Sequence, residues 1–245
     1  MADVSIEQRA SAFYVRIQRP ERENRLSLAV LDAITDALGR AEESEGARVV
    51  VLTGTGGDYF CAGGQVAGLA ENDADQQLKF AESYLRLHTQ LRRLSLPLLC
   101  AVNGQCHAAG MSLLLAADMA IAVEDSTFGY PEIGVGLFPI LALASAVRFL
   151  PRKLAFEMCY TGRLLNASEA LELNLVNAVV PPAALEMAIE RLANELASRS
   201  TRSMGLGRRA FHVMEQLNLD EAHEYAKASL VALLAGDIQR QSSWS

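Results

Sequence analysis

Hydrophobic and polar positions along the first half of the chain follow two different periods. From Phe13 to Ile17 they alternate with a period of two, and the alternation stops before Pro20, which predicts a strand. Apolar positions then recur at helical spacing from Leu28 onward, with Ser27 placed to cap the helix. Three further runs are almost wholly apolar, as expected for strands buried on both faces: 48–53, 98–102 and 119–123.

Helical patterns separate these predicted strands. One lies at 78–94 and a short buried one at 110–117. Strands that alternate with helices imply parallel strands joined by helical crossovers, so we expect an α/β protein. After residue 138 strands become rare, and helices are predicted at 139–150, 152–160, 182–198, 202–217 and 219–235. The polar tail at 239–245 is expected to fray.

Composition and charge exclude several classes of function. The chain has 245 residues, 51% of them hydrophobic, which argues against disorder and suffices for one large core. The 22 Lys and Arg residues are outnumbered by 29 Asp and Glu residues, which gives a net charge of −7. The sequence also lacks the basic stripe that is typical of nucleic-acid-binding proteins. The most apolar stretch, 94–123, is interrupted by polar residues such as Asn103, so we interpret it as core and not as a membrane span. The first residues lack the pattern of a signal peptide, and we expect a soluble, cytoplasmic protein.

The cysteines and one glycine-rich loop carry no metal or nucleotide signature. Cysteines occur at positions 61, 100, 106 and 159, without a CxxC pair or zinc-finger spacing. We therefore expect free thiols in a reducing compartment and no metal site. A dinucleotide fingerprint at 54–57 fails because Tyr59 stands where a further glycine is required.

Two loops rich in small residues follow two adjacent predicted strands, at 59–66 and 102–110. Small residues let the backbone approach a ligand closely. If the loops lie side by side, one amide N–H from each can point at a single oxygen, and the helix that starts near Gly110 adds the positive end of its dipole. The pattern is compatible with an oxyanion hole. The alternative is that the glycines only make tight turns.

Six blocks of sequence, in order along the chain, resemble the crotonase superfamily of enoyl-CoA hydratases and isomerases. They lie at 19–26, 60–64, 101–110, 117–122, 128–136 and 173–180. The resemblance spans roughly residues 10–235 and implies an α/β fold, a crotonase-like spiral of ββα units with a helical C-terminal region. It implies an acyl-CoA-binding catalytic core over residues 1–185 and a helical region over residues 186–245 that forms a homotrimer or a dimer of trimers.

The resemblance also implies roles for individual residues. Carried over by position, the N–H groups of Gly64 and Ala109 hold the carbonyl oxygen of a thioester, and Glu132 falls on a catalytic glutamate. The contacts with substrate and coenzyme A are expected from Arg22, Arg25, Leu26, Ala62, Gly63, Gly110 and Ser112. For the two arginines, solvated surface charge is the competing interpretation. Coenzyme A is expected as part of an acyl-CoA substrate, with no metal or redox cofactor and no nucleic-acid or membrane partner.

Ser112 departs from the family pattern, because it stands where the family has a second glutamate. Syn addition of water to a 2-enoyl thioester is best served by two carboxylates. Moving a double bond from the 3,4 to the 2,3 position needs one base that reaches both carbons. We therefore expect isomerase activity ahead of hydratase activity, with Glu132 as the proton shuttle. A binding protein of this fold that has lost catalysis is a further hypothesis, and a surface or salt-bridged glutamate is the alternative for Glu132.

Four other polar residues have no role that the motifs define, and each has its own expected place. His107 either lies at the pocket and assists proton transfer or is hydrogen-bonded within the structure. Asp118 is expected to cap or pair in the core, and His88 to lie on a helix surface. Gln65 stands where the family frequently has aspartate, which leaves the contacts on that side of the substrate open.

Overall fold

Strands and helices alternate through the first two thirds of the chain. The computed structural model describes residues 2–65 and 74–241, with side chains described up to residue 235. The strands are β1 (Val4–Arg9), β2 (Ala12–Ile17), β3 (Val49–Gly54), β4 (Tyr59–Cys61), β5 (Leu98–Val102), β6 (Gln105–His107), β7 (Met119–Val123), β8 (Thr127–Gly129), β9 (Leu164–Asn166) and β10 (Ala178–Val180). The helices are α1 (Leu28–Glu43), α2 (Ala74–Arg93), α3 (Ala109–Ala116), α4 (Ile140–Phe149), α5 (Arg152–Thr161), α6 (Ala167–Glu172), α7 (Leu185–Ala197), α8 (Thr201–Met214) and α9 (Leu219–Gln241). Short 3-10 turns occur at Pro20–Arg22, Pro131–Val135 and Pro182–Ala184.

The strands form two sheets. The larger has the order β1-β2-β3-β5-β7-β10 and is parallel except for the β1–β2 pair. The smaller has the order β4-β6-β8-β9, with only β9 antiparallel to its neighbour. Three times in succession, a strand of the larger sheet is followed by a strand of the smaller one and then by a helix: β3-β4-α2, β5-β6-α3 and β7-β8-α4. The expected spiral of ββα units is confirmed.

The larger sheet is covered on both faces. All six residues of β3 are buried, as its apolar run predicts. One face packs against α1, α2 and α3 in the main core. The other face packs against α7, which contributes Leu185, Ile189 and Ala193. The parallel strands therefore end at one edge of a sheet that is packed on both faces. This packing holds the loops beyond that edge in place.

The longer predicted elements are confirmed, with shifts at their ends. The Ser27 hydroxyl accepts a hydrogen bond from the Val30 N–H at 3.3 Å and caps α1 as expected. Helix α7 begins three residues after its predicted start, because Pro182–Ala184 forms a separate 3-10 turn. The predicted polar tail falls, beyond residue 241, outside the described residues.

An ion pair between the buried Arg208 and the part-exposed Asp118 connects helix α8 to the larger sheet. Arg208 of α8 donates to both carboxyl oxygens of Asp118 at 2.7 and 2.9 Å and to the carbonyl of Leu91 at 2.9 Å. Asp118 also accepts from the Leu98 N–H at 2.7 Å, so it joins the starts of two strands. The predicted pairing of Asp118 is confirmed. Since α7 and α8 both contact the sheet, contacts cross the predicted boundary at residue 185, and the division into two regions stays a prediction.

Candidate active site

A cavity of about 1040 Å³ lies where the loops after several strands meet. Its lining includes Arg25, Gly64, Tyr84, Ala109 and Glu132. These residues come from five separate segments: the turn before α1, the loop after β4, helix α2, the start of α3 and the turn after β8. The fold therefore gathers in one cavity three residues predicted as catalytic and one of the two predicted arginines.

The two glycine loops touch each other. A Cβ atom added at Gly63, whose φ is +114°, would lie 2.6 Å from the Ala108 Cβ and 3.5 Å from the Ala109 nitrogen. A Cβ at Gly110 would lie 2.3 Å from the carbonyl oxygen of Cys61. Real Cβ atoms do not approach so closely, so these positions require glycine. The loops lie side by side, and tight turning alone does not account for their composition.

The two residues whose N–H groups are predicted to bind a carbonyl oxygen, Gly64 and Ala109, both line the cavity. Within the described residues, neither the Gly64 nor the Ala109 N–H donates a hydrogen bond to the protein. Ala108 has φ +52° and ψ −118°, a strained conformation for a residue with a side chain, and it turns the chain into α3. Leu26 holds the first loop by accepting from the Gln65 N–H and donating to the Gly63 carbonyl, both at 2.8 Å. Two free donors beside a cavity can stabilise a negatively charged oxygen.

Glu132 lies in the 3-10 turn that follows β8, with its Oε2 atom buried. No group of the described residues hydrogen-bonds that atom. Burial raises the pKa of Glu132, and a hydrogen bond from its own backbone together with the charge of Arg25 opposes the rise. A carboxyl group with a raised pKa, facing a cavity, is suited to accept and return a proton.

The predicted arginines differ in position. Arg25 lines the cavity and pairs with Glu23 through a 2.9 Å hydrogen bond from its Nε, while its guanidinium also approaches the Ala62 carbonyl. Arg22 is exposed at the end of its turn and is not part of the cavity lining. Gln65 accepts a 2.8 Å hydrogen bond from the buried Arg19, a partner that its sequence position did not reveal. The positive charge beside the cavity therefore comes from Arg25.

His107 both lies at the cavity and is hydrogen-bonded within the structure, so its position agrees with both alternatives. Its ring lines the cavity, and its Nε2 atom lies 2.9 Å from the Thr127 hydroxyl. Burial lowers its pKa to about 4, and the charge of Arg25 acts in the same direction. The imidazole is therefore neutral at pH 7 and cannot supply a positive charge to the cavity.

Comparison with known proteins identifies the family. The sequence model of the enoyl-CoA hydratase/isomerase family matches residues 7–241. The chain belongs to the enoyl-CoA hydratase/isomerase family. It is 33% identical over 223 residues to the mouse enoyl-CoA hydratase domain-containing protein 3, mitochondrial, covering 89% of this chain and 73% of that one. A putative enoyl-CoA hydratase from Thermus thermophilus is 34% identical over 216 residues, 86% of this chain and 85% of its own.

Solved structures agree with the family assignment. The crystal structure of human enoyl-CoA hydratase domain-containing protein 3 superimposes with a TM-score of 0.91 at 29% identity, over 95% of this chain and 92% of that one. An enoyl-CoA hydratase from Mycobacterium smegmatis gives 0.90 at 29% identity, over 95% and 91%. The crotonase fold is thereby established, and the chain is an enzyme of a family that acts on acyl-CoA substrates.

The remaining residues predicted to contact the substrate differ in whether they line the cavity. Ala62 lines the cavity, whereas Leu26 is fully buried in the core. Gly63 and Gly110 let the two loops approach, as their missing side chains require. Ser112, where the resemblance implies a second glutamate, is fully buried in α3 and is not part of the cavity lining.

Tyr84 is one of the cavity residues that sequence reasoning missed. It lies on the buried side of α2, among apolar residues that indicate a core-facing helix. A tyrosine in such a stripe is itself a signal, because its hydroxyl needs a polar partner when the ring is buried. His88, one turn later, packs its ring 4.4 Å from the Tyr84 ring, and its pKa is lowered to about 4 by burial. The prediction that His88 lies on the helix surface is confirmed only in part, because the residue is partly exposed while its Nε2 atom is buried.

Metal and membrane features are not found in the part of the chain that the structure describes. There, no three His, Cys, Asp or Glu side chains come together in a way that suits a metal ion. None of the helices of that part combines the length and the apolar character that a bilayer crossing demands. All four cysteines are free, as predicted, and all four are buried.

Proposed function

We propose that this enzyme stabilises the enolate of an acyl-CoA thioester and moves a double bond from the 3,4 to the 2,3 position. The N–H groups of Gly64 and Ala109 hold the thioester oxygen as it gains negative charge. Glu132 removes a proton from carbon 2 and returns it to carbon 4. Arg25 offers a cation for the phosphates of coenzyme A at the cavity, and Arg22 can meet them only at the surface.

The unpaired carboxyl of Glu132 carries this proposal. Glu23 is the other carboxylate in the cavity lining of the described residues, and it is paired with Arg25. One free carboxyl group suffices for a 1,3-proton shift, because the same base takes the proton from one carbon and delivers it to another. The double-bond shift therefore stands ahead of hydration.

Addition of water to a 2-enoyl-CoA is the second candidate. The Tyr84 hydroxyl group belongs to a residue that lines the cavity, and it offers a polar contact that a water molecule needs. A relative from Clostridium acetobutylicum, 28% identical over 221 residues, is named short-chain-enoyl-CoA hydratase. An isomerase and a hydratase would use the same N–H groups, those of Gly64 and Ala109, to stabilise the enolate. In a hydratase, Glu132 must also contact the water molecule that is added.

Replacing Glu132 by glutamine tests the proposed proton shuttle. Glu132→Gln is expected to lower turnover by about 10²–10⁴-fold, because the amide cannot accept the proton, and to leave the affinity for a saturated acyl-CoA unchanged. Rates are measured on 3-enoyl-CoA and separately on 2-enoyl-CoA of several chain lengths. Glu124→Gln, an exposed position outside the cavity lining, is the matched control.

Three outcomes contradict the proposal at different levels. Unchanged turnover in Glu132→Gln excludes the shuttle. Hydration of 2-enoyl-CoA without reaction of 3-enoyl-CoA reverses the order of the two candidates. Tight acyl-CoA binding without turnover of either thioester by the unmodified chain excludes both reactions.

The proposal also covers the oligomeric state, the cofactor and the cellular location. We propose a homotrimer or a dimer of trimers, supported by large exposed apolar side chains on α4 and α5 such as Val147 and Tyr160. Coenzyme A enters only as part of the substrate, and the expectation that no further cofactor is required stays a prediction. The cytoplasmic location also stays a prediction, and the mouse and human relatives carry "mitochondrial" in their names.

A further inference from the structure

Cys61 is fully buried at the end of β4, where the chain enters the first glycine loop, and the proposed mechanism does not use it. Its Sγ atom accepts a hydrogen bond from the Gly63 N–H at 3.4 Å, and its S–H donates to the Gly63 carbonyl oxygen at 3.8 Å. A thiol is a weak donor and a weak acceptor, and it can act as both at once. One side chain therefore contacts both polar backbone groups of a single glycine.

Gly63 is the residue at which the first loop turns. Its φ of +114° is a conformation that residues with a side chain rarely adopt. Because glycine has the widest choice of backbone conformations, contacts with its neighbours must select this one. The Cys61 thiol supplies one such contact, and the Leu26 N–H, which donates to the Gly63 carbonyl at 2.8 Å, supplies another.

The direction of the Gly64 N–H follows from the position of the Gly63 carbonyl. Both groups belong to one peptide unit, which is planar and trans, so they point in opposite directions. Contacts that hold the carbonyl of this unit therefore also aim its N–H. Gly64 lines the cavity, and its N–H is the donor that the proposed function assigns to the thioester oxygen.

The backbone of Cys61 lies against the second glycine loop. A Cβ atom added at Gly110 would lie 2.3 Å from the Cys61 carbonyl oxygen and 3.1 Å from the Cys61 Cβ atom. Gly110 follows Ala109, whose N–H is the second proposed donor, in the first turn of α3. Cys61 therefore contacts a direct neighbour of each donor, Gly63 in one loop and Gly110 in the other.

The surroundings of the thiol keep it neutral. Burial raises the pKa of Cys61 to about 12, and the hydrogen bond with the Gly63 backbone and the charge of Arg25 oppose the rise. At pH 7 the side chain therefore retains the proton that it donates to the Gly63 carbonyl. A protonated, buried thiol is also a poor nucleophile, which argues against a covalent role.

We propose that Cys61 is a positioning residue of the candidate active site, whose thiol sets the direction of the Gly64 N–H by holding the Gly63 backbone. The inference rests on the proposed function, because it assumes that this N–H binds a thioester oxygen. It goes beyond that function by assigning a role to a residue that is not part of the cavity lining. Since the contact strengthens as the oxygen gains charge, a misdirected N–H is expected to lower kcat more than it raises KM.

Infrared spectroscopy of a bound thioester tests the direction of the N–H. Butyryl-CoA, isotopically labelled at its thioester carbonyl, is bound to the unmodified chain and to variants of Cys61. Hydrogen bonds to a carbonyl oxygen lower its stretching frequency. Cys61→Ala is expected to lose about half of that lowering, because one of the two donors is misdirected. Cys61→Ser, whose hydroxyl also donates and accepts, is expected to keep most of it.

Turnover provides a second test of the same role. The values of kcat and KM are measured on whichever of 3-enoyl-CoA and 2-enoyl-CoA the unmodified chain converts faster. Rates are divided by the fraction of chains that bind butyryl-CoA, so that partial unfolding does not count as a loss. Cys61→Ala is expected to lower kcat about five- to tenfold, as for one lost hydrogen bond, and to change KM less than about twofold. Cys61→Ser is expected to restore most of kcat.

Cys100→Ala is the matched control. Cys100 is a buried thiol of β5 whose Sγ atom lies 3.8 Å from the Leu113 carbonyl oxygen, so the substitution removes the same atoms from a site outside both loops. The carbonyl frequency and kcat are expected to stay unchanged. Thermal unfolding verifies the fold of each variant. Cys61→Val, which fills the site without a donor or an acceptor, decides the outcome where Cys61→Ala does not fold.

The outcomes separate this inference from the proposed function. An unchanged carbonyl frequency in Cys61→Ala and Cys61→Val overturns the role of Cys61 while the proposed function stands. A loss in Cys61→Ser or in Cys100→Ala as large as that in Cys61→Ala attributes the effect to packing and also overturns it. If butyryl-CoA binds to the unmodified chain without any lowering of the frequency, the N–H groups do not hold the oxygen, and both proposals fail.

Discussion

At the scale of single residues, Glu132 is balanced between two opposing influences. Burial favours its protonated form and raises its pKa, whereas the positive charge of Arg25 favours the carboxylate. A base is active only when it is deprotonated. Turnover should therefore rise with pH through a midpoint above 4.5, the ordinary value for a glutamate.

Arg25→Met is expected to move that midpoint. Without the guanidinium charge the carboxylate is less favoured, so the pKa of Glu132 rises and the ascending limb of the kcat/KM profile shifts to higher pH. The profile is measured from pH 4 to 8 with 3-enoyl-CoA. Arg93→Met, which removes an equal charge at the far end of α2, is the matched control. A midpoint that stays in place, or moves to lower pH, contradicts the assigned influence of Arg25.

The same ionisation has a consequence for stability. A group whose pKa is higher in the folded than in the unfolded chain stabilises the fold fully at low pH, and that contribution is lost as the pH rises through the raised value. At neutral pH the ionised Glu132 therefore disfavours the fold. If Glu132 has its proposed role as a base, activity and stability are opposed at this residue.

At the scale of elements, the active-site loops depend on the contact between α3 and the loop after β4. A Cβ added at Gly110 would lie 2.3 Å from the Cys61 carbonyl oxygen. Gly110→Ala must therefore push α3 and the loop apart, which separates the Gly64 and Ala109 N–H groups. We expect a loss of stability of about 1–3 kcal/mol and a larger loss of turnover, because oxyanion contacts depend on sub-ångström geometry.

Gly207→Ala is the control for this prediction. Gly207 lies in α8, and a Cβ there would meet no atom within 4 Å. The substitution is expected to raise the free energy of unfolding by up to about 1 kcal/mol through helix propensity and to leave turnover unchanged. Stability is measured by urea unfolding and turnover on 3-enoyl-CoA. A Gly110→Ala enzyme with normal activity would show that the loop contact is not needed.

The elements also show what a sequence can and cannot predict. The long strands and helices were predictable because their hydrophobic period repeats several times, as in β3 and α1. The three-residue strands β4, β6 and β8 are too short for any period, and pairing between successive loops defines them. Helix α6 carries a local signal that was overlooked, the capping box formed by Asn166 and Glu169.

The candidate site divides in the same way. The resemblance of ordered sequence blocks to the family singled out Gly64, Ala109 and Glu132, and all three line the cavity. Tyr84 was missed because α2 reaches the cavity from a separate segment, and only the packed structure shows which helix face meets the loops. Cavity positions carried by loop motifs were predictable, whereas those created by the packing of a separate helix were not.

At the scale of the whole molecule, the C-terminal helices share the stability of the sheet core. Arg208 of α8 is 8% exposed and spans Asp118 and the backbone that follows α2. Helix α7 covers one face of the larger sheet. With such contacts across residue 185, we expect the chain to unfold in one cooperative transition and not as a core followed by a helical region.

Arg208→Met tests this coupling. Removing the guanidinium breaks its pair with the part-exposed Asp118 carboxylate and its hydrogen bonds to the Leu91 and Leu94 carbonyls, a loss of about 3 kcal/mol. For a chain of this size we expect the Tm to fall by about 10 °C while unfolding keeps a single transition by both calorimetry and circular dichroism. Arg199→Met removes an exposed ion pair with Glu195 instead and should change the Tm by no more than about 2 °C. Two separate transitions in the unmodified chain, with Arg208→Met lowering only the first, would show that the helical region unfolds on its own and that the boundary at residue 185 is a thermodynamic one.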